Sequence, residues 1–137
     1  MSQWRRVALE AVPSCKQVIE EADSPGAMWS VLYDELSALK LPSEVAIRQI
    51  YEFALRCFRD RKPEVLASEV WVFFHYVVGA YIVGNDRMRD DLPKRISISD
   101  FHYWAEALKG HFAPDKFAAA TKQFEAAKHN PKDHLQK

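Results

Sequence analysis

Histidine and cysteine are the side chains of this 137-residue chain best suited to acid–base, nucleophilic or metal-binding work near neutral pH. His75 lies in the most apolar stretch of the sequence, PEVLASEVWVFFHYVVGAYIV, on a helical stripe with Ser68, Val72 and Gly79. That placement suits a polar pocket with His75 as acid/base or ligand. It suits still better an interior histidine, with Gly79 and Ala80 admitting a neighbouring helix, because no partner motif accompanies it. Cys15 follows Pro13 closely, where the N–H groups of a first helical turn would lower a thiol pKa, but no histidine stands near it in sequence. Cys57 falls on an apolar stripe and reads as a small hydrophobe. His102 and His111 are too far apart for adjacent helical metal ligands, and His129 and His134 are not at such a spacing either. There is no CxxC pair, no glycine-rich nucleotide loop, no HExxH and no GxSxG. No metal and no cofactor is expected, and a small enzyme using His75 or Cys15 is the alternative to a non-catalytic protein.

The remaining concentration of functional groups is electrostatic. GNDRMRDDLPKRIS, residues 84–97, mixes charges of both signs and shows no apolar period, so it reads as a long connector. Asp86, Arg87, Arg89, Asp90 and Asp91, beside Met88 and near Tyr103 and Trp104, suit a polar protein-binding surface in which Arg and aromatic side chains contribute most of the energy. A solvated connector accounts for the same charges equally well.

The elements that would position these groups are helical. Breaks come from seven prolines more than from four glycines, and apolar residues between them recur at helical spacing. A helical piece over about 3–22 is interrupted at Pro13. Ser24-Pro25 forms an N-cap and first helical residue for a helix to about Lys40, with Met28, Leu32, Leu36 and Leu39 on one face and Trp29 and Tyr33 alongside. Ser43 caps the next, which buries Ile47, Ile50, Tyr51, Ala54, Cys57 and Phe58. Its wet side carries Arg48, Glu52 and Arg56, and its last turn is basic. Residues 63–83 are apolar nearly all round and predict a central helix, with a membrane span as the rival reading and a buried β-strand as an alternative for part of the run, which its length without a turn signal disfavours. Glu69 and His75 inside the stretch, and basic flanks at both ends, favour the core helix. Ser97 or Ser99 opens a helix that turns Phe101, Trp104, Ala105 and Leu108 inward and stops at Gly110. Pro114 opens the last, with a stripe of Phe117, Ala120, Phe124 and Ala127.

These elements predict an all-α bundle of about six helices around 63–83, in one domain over residues 1–128, with a frayed tail at 129–137. Apolar residues make up 48% of the chain and aromatic ones 12%, enough to fill an interior and to argue against intrinsic disorder. Nineteen basic side chains balance nineteen acidic ones, which counts against nucleic-acid binding through a basic excess. Neither a signal peptide nor a disulfide framework is legible, so a cytoplasmic location is expected.

The segments AVPSCKQVIEEADSPGAMWSVLYDEL, AIRQIYEFALRCF and LPKRIS-ISDFHYW together give a pattern that resembles an uncharacterised family of small bacterial helical domains, some of them similar to immunity proteins of polymorphic toxin systems. The resemblance spans most of residues 5–125 and brings no catalytic residue with it. It implies a protein that binds another, such as a cognate toxin, and neutralises it by occlusion.

Overall fold

The computed structural model describes residues 2–38 and 42–129, and the protein is all-α, with no strand among the described residues. The helices are α1 (Gln3–Ala11), α2 (Lys16–Glu21), α3 (Pro25–Ser37), α4 (Glu44–Asp60), the single turn α5 (Glu64–Ala67), α6 (Trp71–Val83), α7 (Asp86–Arg95), α8 (Ile98–Leu108) and α9 (Pro114–His129). The expected Leu39 of the α3 stripe and most of the expected tail, residues 130–137, lie outside the described residues. His129 belongs to α9. Two compact units divide the chain, Met1–Tyr76 and Val77–Lys137, so α6 contributes its first turns to one and its last turns to the other.

In the first unit, Pro13 breaks the N-terminal helix as predicted, and a 3-10 turn over Pro13–Cys15 links α1 to α2. The Arg5 guanidinium donates to the Ala22 carbonyl at the end of α2, at 2.5 Å. Ser24 and Ser43 are the caps of α3 and α4, accepting from the Ala27 and Ala46 amides at 3.2 and 3.1 Å. The interior is built on Trp29, whose ring lies 5.0 Å from Phe53 and 6.0 Å from Phe73, and whose indole N–H donates to the Leu66 carbonyl at 3.0 Å. Phe53, not Phe58, is the fully buried phenylalanine of α4. On the wet side of α4, Arg48 pairs with Glu44 at 3.7 Å.

The predicted helix over 63–83 is interrupted between α5 and α6. The amides of Glu69, Val70 and Val72 reach back three residues, to Leu66, Ala67 and Glu69, where an α-helix reaches back four. The Ser68 hydroxyl donates to the Val65 carbonyl at 3.2 Å and competes for the backbone at that turn. By length and composition alone, Glu64–Val83 is the one candidate for a membrane span among the described residues. Within it, Phe73, Phe74, Val77, Val78, Tyr81 and Ile82 are sealed from solvent, on one face of α6.

In the second unit, α6 ends on Gly84 at φ +95, which lets the Asn85 amide bond to the Ala80 carbonyl and the Gly84 amide to that of Tyr81. A side chain at Gly84 would hold that left-handed geometry only under strain. The chain does not then run on as a connector. Asn85 caps α7 by accepting from the Met88 amide at 2.9 Å, and Asp86–Arg95 within this segment is helical. The apolar period that the charges hide is Met88, Leu92 and Ile96, spaced by four and all buried. Pro93 sits inside α7, and its carbonyl accepts from Lys128 of α9 at 2.9 Å. Ser97 caps α8. Gly110 lies in a 3-10 turn, Lys109–His111, rather than in a left-handed stop. The core here is a ring cluster: Phe101 and Phe124 stack at 4.0 Å, and Tyr81 meets both edge-on at 5.5 and 5.4 Å.

Replacing Phe124 by Ala opens a cavity in that cluster and is expected to cost about 3–5 kcal/mol. The half-buried Phe117 on the same helix should cost less than half as much when cut to Ala. Urea unfolding of the full chain measures both; equal losses would mean that the stacked rings are not the interior of this unit.

Candidate interaction surface

Of the five charged residues expected to meet a partner, Arg89 and Asp91 make bonds that tie them into the fold. Arg89 donates to the carbonyls of Tyr81 and Ile82, the latter at 3.1 Å, and to Gln123 Oε1 on α9. Its guanidinium also lies 4.8 Å from the centre of the Tyr81 ring. Arg89 therefore caps the carbonyl end of α6 and ties α6, α7 and α9 together. Asp91 accepts from Arg95 through both carboxylate oxygens at 2.8 to 3.1 Å, an i,i+4 pair one turn long. Asp86 and Asp90 are exposed, Asp86 in the first turn of α7 where a negative charge favours the helix, and Arg87 is half-buried.

The residues considered for chemistry are not brought together. Both cysteines are buried free thiols, Cys15 4% and Cys57 1% exposed. Burial raises the Cys15 pKa from 9.0 to about 11, with the Glu35 carboxylate adding to the rise. Burial does the same for Cys57, also to about 11, against the Arg56 charge and with Asp60. A first-turn activated thiol is thus not what the fold provides at Cys15. His75 is half-buried, its ring 5.3 Å from that of Trp71 and edge-on to it. Gly79 meets the Leu108 side chain where a Cβ would still have 3.9 Å, so the expected close helix approach is not a glycine-dependent one. Glu69 is half-buried beside Gly26, in the first turn of α3, the positive end of that helix. No group of three or more possible metal ligands occurs among the described residues. His102 Nε2 and Glu125 Oε2 make a 2.8 Å bridge from α8 to α9.

The feature that the sequence did not single out is aromatic and lies in the first unit. Trp71 and Tyr76 are 47% and 49% exposed on α6, and Val65 is 46% exposed on α5. Tyr33 of α3 stacks on Tyr76, ring centres 4.9 Å apart and 13° from parallel. Partial burial raises the Tyr33 pKa, with the Asp34 carboxylate and Tyr76 contributing and the Ser37 hydrogen bond opposing. Two ring pairs, Trp71–His75 and Tyr33–Tyr76, thus flank the side of α6 turned away from its buried face, with Trp71 and Tyr76 exposed. The fold and this surface define an all-helical protein with a preformed aromatic face. Comparison of the chain with family models, curated proteins and solved structures finds no match.

Two expectations follow. Arg89→Ala removes its bonds to the Tyr81 and Ile82 carbonyls and to Gln123 and should destabilise the protein by about 1–3 kcal/mol, whereas Asp90→Ala should stay within about 0.5 kcal/mol; equal midpoints in chemical unfolding would refute the capping role. Because burial raises both thiol pKa values, the neutral thiols add stability that is complete below about pH 9 and is lost as pH climbs toward about 11. At pH 8 a thiol-reactive disulfide reagent should label neither cysteine until denaturant is added, and prompt labelling of the native chain would contradict the burial.

Proposed function

We propose that this chain is a non-catalytic, cytosolic protein-binding module that acts by covering a surface of another protein, as the resemblance to immunity proteins implies. The observation that carries the proposal is the aromatic surface on which Trp71 and Tyr76 are exposed, beside the half-buried His75 and Tyr33. Large rings are costly to leave in water, and Trp and Tyr held rigid by their neighbours are the side chains that contribute most at protein interfaces. Stacking fixes Tyr33 and Tyr76 before any partner arrives, so little side-chain freedom remains to be lost on binding. The exposed carboxylates Asp86 and Asp90 of α7 form a second, polar surface, on which the charged residues first expected to bind are only partly available. Two free buried thiols suit a reducing compartment. The enzymatic alternative draws no support from Cys15, a buried thiol kept neutral, or from His75, packed against Trp71.

A photo-crosslinking residue placed at Tyr76 in the full chain, expressed in its native cell, should give discrete protein adducts that disappear when Trp71→Ala is added. The same residue at the exposed Arg56 of α4 should give none of these. Absence of any adduct from position 76, with the chain folded by circular dichroism, would sink the reading.

A further inference from the structure

We propose that the aromatic face of the first unit receives a cationic segment of its partner, one presenting Lys or Arg among apolar side chains; this rests on the protein-binding reading above. The neutral total of the chain conceals a strong segregation of charge. α3, α5, α6 and the turn between α5 and α6 contain Asp34, Glu35, Glu64 and Glu69 and not one Lys or Arg. No Lys or Arg occurs between Lys62 and Arg87, where His75 is the one histidine. The basic side chains described in this unit stand elsewhere in the chain: Arg5, Arg6 and Lys16 on α1 and α2, Arg48, Arg56 and Arg59 on α4, and Arg61 and Lys62 just after it.

Asp34 and Glu64 are exposed and Glu69 is half-buried, and among the described residues none of the three is in an ion pair. Their charge therefore projects into solvent over about a Debye length, roughly 8 Å at physiological ionic strength. Asp34 adjoins Tyr33 in the chain, and its charge acts on the Tyr33 hydroxyl. Each ring also presents a negative face, to which a guanidinium or ammonium group is drawn. Rings and carboxylates thus favour the same kind of occupant, and the arginine or lysine stems would cover the exposed Val65, Trp71 and Tyr76. A two-fold contact with a second copy would bring two acidic surfaces without Lys or Arg together, and polyanions or anionic lipid surfaces would meet the same repulsion.

The test uses the full chain and two synthetic amphipathic helical peptides that share a leucine face, one with Lys and Arg on its polar face and the other with Glu. Titration is followed by NMR at the Trp71 indole and the Tyr33 and Tyr76 rings. The cationic peptide should perturb these three residues and bind at least about tenfold more tightly than the anionic one, and more weakly as salt is raised. The double variant Asp34→Lys, Glu64→Lys, whose sites are exposed, should lose most of that preference. Equal or tighter binding of the anionic peptide, perturbation confined to other surfaces, no binding of either peptide, or binding of anionic phosphatidylglycerol vesicles would each overturn the proposal. Failure here remains distinct from failure of the functional reading. Adducts from position 76 whose yield is indifferent to the charge-reversal variant remove the cationic partner and leave a protein partner, whereas absence of adducts removes both.

Discussion

One face of α6 is held out of water, and the rest of the structure is arranged around that fact. Phe73 and Phe74 from its first turns enter the core of one unit, where Trp29, Tyr51 and Phe53 surround them. Tyr81 and Ile82 from its last turns enter the core of the other, where Phe101 and Phe124 close the cluster. Burying a ring of this size is worth roughly 1.5–3 kcal/mol over leaving it exposed, so a few of them outweigh any local preference of the surrounding chain. The opposite side of α6, with Trp71 and Tyr76, is as apolar in composition and yet lies in solvent.

The end of that helix shows how the backbone requirement is met. A helix terminus leaves carbonyls without partners, and at Val83 they are satisfied in two ways. Gly84 turns left-handed so that the following amides fold back, and Arg89 brings a guanidinium from the next helix onto Tyr81 and Ile82. Asn85 can then begin α7 at once. A charged residue that looks like surface in the sequence is, for this reason, part of the joint.

Charge is distributed by element rather than by total. The Lys and Arg side chains described in the first unit sit on α1, α2, α4 and the residues just after α4, while α3, α5 and the turn before α6 carry carboxylates and α6 carries exposed rings. A neutral sum therefore says little about what the aromatic face attracts, because a partner feels the charges within several ångströms of its own and not the formal charge of the whole chain.

Much of the helical order was legible in the sequence because it depends on neighbours in the chain. Pro13 breaks, Ser24, Ser43 and Ser97 cap, and the Met28, Leu32, Leu36 and Phe101, Trp104, Leu108 stripes recur with the helical period; each of these is local chemistry. Residues 84–97 misled the reading because five charges in succession around Met88 masked a spacing of four between Met88, Leu92 and Ile96. What the chain order could not determine is which side of a uniformly apolar helix faces a neighbour. Between 63 and 83 both sides are apolar, so periodicity carries no information, and only the packing of distant rings made Phe73 and Tyr81 core and left Trp71 and Tyr76 exposed. The role of Arg89 was likewise decided in three dimensions, since hydrogen bonds to carbonyls seven and eight residues back and to a glutamine on α9 exist only once the helices have met, whereas the Asp91–Arg95 pair is local to α7.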